Sequence, residues 1–221
     1  MKLVTFDSIA EMERSAVVLL EEHFSLHCGV PHAVMLTGGQ TPLGIYRTFD
    51  QTPVPVDESL RLLITDERHV PMESPESNYG RMREMVQALG IDESQVMRVH
   101  TELALDAAAV RYHDELASFV HDGGRITLGI AGLGADGHVA SLFNGRDLER
   151  GRGKYAVAVP RSSGPDRVSV TQDLLARVER LVFLVAGPEK DEVVEKMLSE
   201  PERLVAGRAV QEVRSVELWR S

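Results

Sequence analysis

The fold of this chain is decided by residues Gly129–Phe143, which read GIAGLGADGHVASLF. The stretch overlaps an apolar run, Ile126–Ala131, of the kind that a parallel sheet buries on both faces. An amphipathic segment, Val139–Phe143, follows and predicts a short helix. Between the two lie three glycines, Gly132, Gly134 and Gly137. A buried strand that leads through a glycine-rich loop into a helix indicates an α/β fold with a ligand site, because ligands bind at the carboxyl ends of parallel strands.

One histidine, His138, directly follows the last of these glycines, and Asp136 lies two residues before it. An imidazole titrates near neutral pH, so a histidine at the mouth of a site is suited to proton transfer. The simpler interpretation is a tight turn with a structural histidine. The glycine spacing also resembles a dinucleotide fingerprint, but the motif continues well beyond that short pattern.

A second glycine turn follows the predicted strand His32–Leu36. The turn reads TGGQTP over Thr37–Pro42, and a predicted helix, Leu43–Phe49, comes after it. Backbone N–H groups at such a helix start can receive an anion, with threonine hydroxyls beside them. The alternative is an ordinary turn capped by a threonine. The candidate phosphate-binding residues of this turn are Gly38, Gly39 and Thr41.

Charged residues follow two further predicted strands. The segment DERHVP, Asp66–Pro71, comes directly after the apolar run Leu60–Thr65. Within it, Arg68 carries a planar fork that suits phosphate or carboxylate. Lys190 lies in the first turn of a predicted helix after the apolar run Arg180–Ala186, where a cation opposes the helix dipole. Its position is explained if it faces a substrate phosphate, and otherwise it is an exposed lysine on a polar face.

The length of 221 residues predicts one α/β domain, residues 1–221. A net charge of −10 argues against nucleic acid or an anionic membrane as the main partner, and it means that an anionic substrate needs locally clustered cations. The single cysteine, Cys28, excludes an internal disulfide and is expected to be a small buried residue in a reducing compartment. Since no signal peptide or membrane-spanning run is evident, we expect a cytoplasmic location. Metal-ligand spacing is also absent, so we expect no metal.

The segment GLGADGHVASLF, Gly132–Phe143, resembles the GxGxDGHxASLF signature of the 6-phosphogluconolactonases. Their superfamily also contains the glucosamine-6-phosphate deaminases. Four further segments resemble the lactonase pattern in the same order along the chain. TGGQTP resembles the phosphate loop SGGSTP of the family, and DERHVP resembles its DERxVP segment. PDRV resembles the PxRVT segment, and GPEK resembles the strand–G–x–x–K element. The deaminases have DEY in place of DER and an IAFNEP-like string after DGH, so both places favour the lactonases. The chain departs from the pattern at Gln40, at Asn144 and in its short C-terminus.

We therefore predict a three-layer α/β/α sandwich with a mainly parallel, Rossmann-like sheet, whose loops meet at one edge. The resemblance implies hydrolysis of 6-phospho-D-glucono-1,5-lactone to 6-phosphogluconate in the oxidative pentose phosphate pathway, with a small phosphosugar lactone as the partner and no cofactor. In this interpretation His138 is the general base, and Asp136 or Asp66 orients its ring. The residues expected to bind the substrate are Gly38, Gly39, Thr41, Arg68, Arg167 and Lys190. All of these except Arg167 are expected to hold its phosphate; Arg167 is expected near the mouth of the site, and its alternative is a charge on an edge strand. A glucosamine-6-phosphate deaminase and a non-catalytic sugar-phosphate-binding regulator stay open as alternatives, and the oligomeric state is not readable from the sequence.

Overall fold

The computed structural model describes residues 1–221 as ten strands and eight α-helices, with short 3₁₀ turns between them. The strands are β1 (Lys2–Thr5), β2 (His32–Leu36), β3 (Leu60–Ile64), β4 (Asp66–Arg68), β5 (Val96–Met97), β6 (Arg125–Gly132), β7 (Ala156–Val159), β8 (Arg167–Val170), β9 (Leu181–Val185) and β10 (Val216–Arg220). The helices are α1 (Ile9–Phe24), α2 (Gln40–Gln51), α3 (Arg83–Ala88), α4 (Leu105–His121), α5 (Gly145–Gly151), α6 (Gln172–Leu175), α7 (Asp191–Ser199) and α8 (Val205–Ala209).

Seven strands form one parallel sheet in the order β1-β10-β9-β6-β2-β3-β5. The chain builds outward from β2 to β3 and β5 on one side, and from β6 to β9 and β10 on the other. The order therefore reverses between β2 and β6, and a crevice opens at such a switch point beyond the carboxyl ends of the strands. Both glycine loops identified in the sequence leave the sheet at this place.

The two faces of the sheet are covered by different layers, as the alternation of side chains along a strand requires. On β2, Val34 and Leu36 pack into a core formed with α1, α2 and α3. Ala33 and Met35 point the other way, into a core shared with α4, α7, α8 and the smaller sheet. The predicted three-layer α/β/α fold with a mainly parallel sheet is confirmed.

A small antiparallel sheet, in the order β4-β8-β7, was not predicted. Its strand β4 is the DER segment, which the sequence suggested as a loop and which is separated from β3 by Thr65 alone. In this sheet Asp66 lies opposite Ser169, and Arg68 lies opposite Arg167. The pairing of β4 with β8 thus brings together two arginines that are a hundred positions apart in the chain.

The predicted helix Val139–Phe143 is wrong, because these residues form turns. Ala140 has a φ of 51°, which a right-handed helix does not allow. The helix α5 begins later, at Gly145, and Asn144 caps it by accepting the N–H groups of Arg146 and Asp147. Asn144, a departure from the family pattern, therefore supplies a helix cap.

Two other local predictions also need correction. The sequence from Ser77 to about Leu89 predicts a helix, but α3 begins only at Arg83, after a 3₁₀ turn. The side chain of Glu67 accepts hydrogen bonds from the N–H groups of Asn78 and Tyr79 and keeps them out of the helix. Cys28 lies half-exposed in a loop instead of in the core. No helix of the structure is long and apolar enough to cross a bilayer.

Candidate active site

A cleft of about 390 Å³ opens at the carboxyl ends of the central strands. Most of the residues predicted from the sequence line it: Gly38, Gly39, Asp66, Arg68, His138, Arg167 and Lys190. Two predicted residues do not. Asp136 lies beside His138 outside the lining, and Thr41 lies within the first turn of α2. The topology of the sheet therefore brings one histidine and three cations to a single opening.

The imidazole of His138 is held from one side. Its Nδ1 lies 2.5 Å from Oδ1 of Asp136, while its Nε2 makes no hydrogen bond within the protein. The ring packs against Phe143 with 4.8 Å between centroids. Because a carboxylate only accepts, Nδ1 carries the proton in the neutral ring and Nε2 presents a lone pair. This arrangement suits a general base.

The hydrogen bond between His138 and Asp136 depends on Gly134. A Cβ at this position would lie 2.1 Å from Nδ1 of His138 and 2.5 Å from Oδ1 of Asp136. Gly134 also donates its N–H to the carbonyl of His138, at 2.9 Å. The glycine of the motif therefore allows the loop to close tightly around the histidine ring.

The pKa of Asp136 is lowered in the folded protein. Partial burial alone raises this pKa, but the hydrogen bond and the positive charge of His138 outweigh that effect. Asp136 is consequently ionised at neutral pH, and its negative charge favours an imidazolium at His138 during proton transfer.

Three cations converge on the cleft without a carboxylate partner. Arg68 donates to the carbonyl of Glu76 at 2.7 Å, and Lys190 donates to the carbonyl of Leu133 at 2.9 Å. Arg167 donates to the carbonyls of Pro165 and Asp166. None of the three forms an ion pair, although many other basic side chains of the chain do.

The electrostatic consequence is visible at Arg167. Burial and then the neighbouring charge of Arg68 lower the pKa of its guanidinium, and Asp66 opposes these effects only in part. Two uncompensated guanidinium groups beside each other are unfavourable in a folded protein. An anion bound between them relieves the repulsion, so the cleft is suited to a phosphate group.

The glycine turn before α2 adds backbone donors. Neither Gly38 nor Gly39 donates its N–H to an acceptor in the protein, and Gly39 has a φ of 110° at the N-terminus of the twelve-residue helix. A Cβ on Gly38 would lie 1.9 Å from Oδ1 of Asn78, a buried oxygen that accepts no hydrogen bond. The turn therefore lies close against Asn78 and leaves its amide groups available to an anion.

Asp66 does not contact His138. Its Oδ1 accepts a hydrogen bond from Thr65 at 2.8 Å, and its Oδ2 accepts one from Ser141 at 2.6 Å. Of the two acids that the sequence offered as orienting groups, only Asp136 touches the imidazole. Asp66 lines the cleft as a buried carboxylate within a network of hydroxyl groups.

Sequence analysis did not identify several residues of the cleft. Thr37, Asn78 and Phe143 lie in its wall. Phe143 belongs to the recognised motif, and its position there was the available signal. Asn78 belongs to the SN pair that follows DERxVP in the lactonase pattern, but only the fold of the 74–79 loop onto Glu67 brings it to the cleft.

Comparison with known proteins decides the family. The family model described as glucosamine-6-phosphate isomerases/6-phosphogluconolactonase matches residues 10–219. The chain belongs to this family. The resemblance stated from the sequence is thereby confirmed, and the family description covers both of its enzymatic branches.

Two relatives of known sequence are named 6-phosphogluconolactonase. A 6-phosphogluconolactonase of Thermotoga maritima is 33% identical over 158 residues, which cover 70% of this chain and 69% of that protein. A 6-phosphogluconolactonase of Aggregatibacter actinomycetemcomitans is 28% identical over 193 residues, covering 85% and 81%. The crystal structure of devB protein matches with a TM-score of 0.85 and 26% identity, over 99% of this chain and 95% of that one.

Proposed function

We propose that this protein hydrolyses 6-phospho-D-glucono-1,5-lactone to 6-phosphogluconate, in the oxidative pentose phosphate pathway. The observation that carries the proposal is that one cleft contains both a histidine hydrogen-bonded to an aspartate and three cations without a carboxylate partner. The cations suit the phosphate of the substrate, and the histidine suits proton transfer at its lactone group. The lactonase names of the relatives support the same reaction.

In the proposed reaction, His138 acts on water. Its Nε2 removes a proton from the water molecule as the oxygen attacks C1 of the lactone. The imidazolium then donates that proton to the ring oxygen as the C1–O bond breaks, which opens the ring to a hydroxy acid. The new carboxylic acid releases its remaining proton to solvent and becomes the carboxylate. A δ-lactone is an activated ester, so a positioned water and a general base suffice. Catalysis of this kind contributes about 10²- to 10⁴-fold.

The remaining groups hold the substrate. Arg68, Arg167 and Lys190, together with the N–H groups of Gly38 and Gly39, form the proposed phosphate-binding set. Fixing the phosphate places the lactone carbonyl against the histidine, which lowers the entropic barrier of the reaction. Thr41 stays a weaker candidate for this set, because it lies outside the lining of the cleft.

The test is a direct assay of the purified protein. Lactone is generated in place from glucose 6-phosphate with its dehydrogenase and NADP, and hydrolysis is compared with the spontaneous rate. Accelerated hydrolysis supports the proposal. Ammonia release from glucosamine 6-phosphate identifies the deaminase branch instead. Binding of 6-phosphogluconate without either reaction identifies a sugar-phosphate-binding regulator.

Location and partners follow from the same proposal. An enzyme of sugar-phosphate metabolism acts where its substrate is made, so we propose a cytoplasmic location. A net charge of −10 supports a small-molecule partner over a nucleic acid.

Replacing Asp136 with asparagine is expected to lower kcat about tenfold, which corresponds to about 1.4 kcal/mol of transition-state stabilisation. An amide oxygen still accepts the Nδ1 proton of His138, but it carries no charge to stabilise the imidazolium. The effect stays moderate because the Asp136 side chain is 63% exposed. Steady-state lactone hydrolysis measures the change. Asp122→Asn is the matched control, since Asp122 faces His121 on the surface at the C-terminus of α4, just before β6 begins and at the opposite edge of the sheet from the cleft. An unchanged kcat in Asp136→Asn would contradict the role of the carboxylate.

The same substitution changes the dependence of stability on pH. Because the pKa of Asp136 is lowered in the folded state, its carboxylate stabilises the fold above its unfolded pKa of about 3.9. This contribution is lost as the pH falls through the lower, folded value. Urea unfolding between pH 6 and pH 3 should therefore show a steeper loss for the wild type than for Asp136→Asn. Parallel curves would refute the linkage.

A further inference from the structure

The loop that carries His138 contains one residue in an unfavourable backbone conformation. Ala140, two positions after His138, has a φ of 51° and is the only non-glycine residue of the chain with positive φ. Side chains disfavour this left-handed region, and such residues persist where the surrounding structure fixes them on both sides. The contacts next to Ala140 therefore decide whether the loop keeps its shape.

Ser141 provides those contacts. Its hydroxyl donates to Oδ2 of Asp66 at 2.6 Å, and its N–H donates to Oγ of Ser169 at 3.0 Å. Asp66 and Ser169 lie directly opposite each other on β4 and β8. All three side chains are buried, with exposed fractions of 1%, 7% and 0% for Ser141, Asp66 and Ser169. One serine is thus bound to both strands of a rigid pair.

The same carboxylate reaches the phosphate loop. Oδ1 of Asp66 accepts a hydrogen bond from Thr65, and Oγ1 of Thr65 lies 3.1 Å from Oγ1 of Thr37. Thr37 directly precedes Gly38. The chain of hydroxyl groups therefore connects the histidine loop to the loop that carries the proposed phosphate donors.

We propose that Ser141 is a positioning residue. Its hydrogen bond to Asp66 forms a latch that ties the histidine loop, Gly132–Phe143, to the small sheet. The latch keeps Ala140 in the left-handed conformation and holds His138 at a fixed position relative to the phosphate loop, Thr37–Pro42. This inference rests on the proposed function. The hydroxyl of Ser141 takes no part in bond making, because its proton is directed at Asp66. Its contribution lies in the distance between the imidazole and the lactone, which the two loops set together.

The first test is Ser141→Ala. Small misplacements of a catalytic group lower the rate by one to two orders of magnitude, so we expect kcat to fall about tenfold. The dissociation constant of 6-phosphogluconate is expected to stay within about twofold, because the phosphate donors remain. Ser59→Ala is the matched control. Its hydroxyl also donates to an aspartate, Asp57, but at the opposite edge of the sheet, and kcat is expected to stay unchanged.

The second test is rescue. Glycine adopts left-handed conformations without penalty, so Ala140→Gly removes the conformational cost that the latch opposes. In the double variant Ala140→Gly, Ser141→Ala, we expect kcat to recover at least about threefold relative to Ser141→Ala alone. A residue that only stabilised the fold would not show this recovery.

Amide hydrogen exchange supplies a readout that does not depend on activity. The N–H of Leu142 donates to Val139 at 3.0 Å, and the N–H of Gly134 donates to His138 at 2.9 Å. Exchange at both amides is expected to be about tenfold faster in Ser141→Ala, and slower again in the double variant. Exchange in Ser59→Ala is expected to match the wild type at these positions.

The outcomes separate the two proposals. If the wild type does not accelerate lactone hydrolysis, the proposed function fails, while the exchange data still support or reject the latch. Unchanged kcat and unchanged exchange in Ser141→Ala overturn the inference. Loss of 6-phosphogluconate binding in parallel with kcat overturns it as well, since Ser141 would then contact the ligand. A loss above 10³-fold without rescue assigns Ser141 to the reaction itself and also contradicts a positioning role.

Discussion

Replacing His138 with alanine is expected to lower kcat for lactone hydrolysis by about 10²- to 10⁴-fold. The substitution removes the only imidazole that lines the cleft, a ring whose Nδ1 is fixed by a carboxylate and whose Nε2 has no partner in the protein. Asp136 cannot replace it, because this acid lies outside the lining of the cleft and its lowered pKa makes it a weak base. The three basic side chains of the cleft cannot replace it either, because the charged forms of Arg68, Arg167 and Lys190 have no lone pair that could accept a proton.

The measurement is steady-state hydrolysis of lactone generated in place, with 6-phosphogluconate binding determined on the same samples. Product affinity should be retained, since the proposed phosphate-binding residues are unchanged. His121→Ala serves as the control, because this histidine is 90% exposed and also pairs with an aspartate. Full turnover in His138→Ala would leave the function in place and reject the mechanism. Lost binding in parallel with lost turnover would indicate a collapsed loop.

The second large effect is expected at Glu67, and it concerns stability. This buried carboxylate accepts four hydrogen bonds. Its Oε1 receives the N–H groups of Arg68 and Asn78 at 2.8 and 2.7 Å, and its Oε2 receives the N–H of Tyr79 at 2.8 Å and the hydroxyl of Ser77 at 3.1 Å. Burial raises the pKa of Glu67, and these four donors oppose that rise.

Glu67→Gln keeps the size of the side chain and still costs about 3 kcal/mol of the free energy of unfolding. In one orientation the amide nitrogen of glutamine faces the N–H groups of Arg68 and Asn78, and in the other it faces the N–H of Tyr79 and the hydroxyl of Ser77. The hydroxyl can turn and accept, but at least one buried N–H loses its acceptor in either case. For a chain of this length the loss corresponds to a Tm lower by about 6–12 °C. The 77–79 segment, which places Asn78 in the cleft, should loosen with it.

Urea unfolding at pH 7 and thermal unfolding test this prediction. Glu73→Gln is the matched control, because it removes the same charge from an exposed side chain of the neighbouring loop. A loss below about 1 kcal/mol in Glu67→Gln would show that the four hydrogen bonds are rearranged without cost. A similar loss in both variants would point to net charge as the cause.

The sequence by itself determined the parallel sheet and the order of its main strands along the chain. Runs such as Ile126–Ala131 and Leu181–Val185 are apolar on both faces, and only a sheet covered on both sides satisfies them. It also determined the family, because a motif as long as GLGADGHVASLF does not arise by chance, and the family model matches the chain. These features are local, and local residue order is sufficient to define them.

Only the tertiary structure decided which groups meet. The segment Val139–Phe143 has the composition of a helix, yet Asp66 and Ser169, distant in the chain, bind Ser141 and hold the segment in turns. The approach of Arg68 to Arg167 depends on β4 pairing with β8, which no local pattern encodes. The same strand pairing explains why Asp136 and not Asp66 contacts His138, because Asp66 lies on β4 and its carboxylate is bound by Ser141. Hydrogen bonds between distant segments outweigh local propensity here because Ser141 forms two of them. Leaving a buried donor or acceptor without a partner costs about 1–3 kcal/mol, and one unfavourable backbone angle costs about the same, so the two bonds together exceed it.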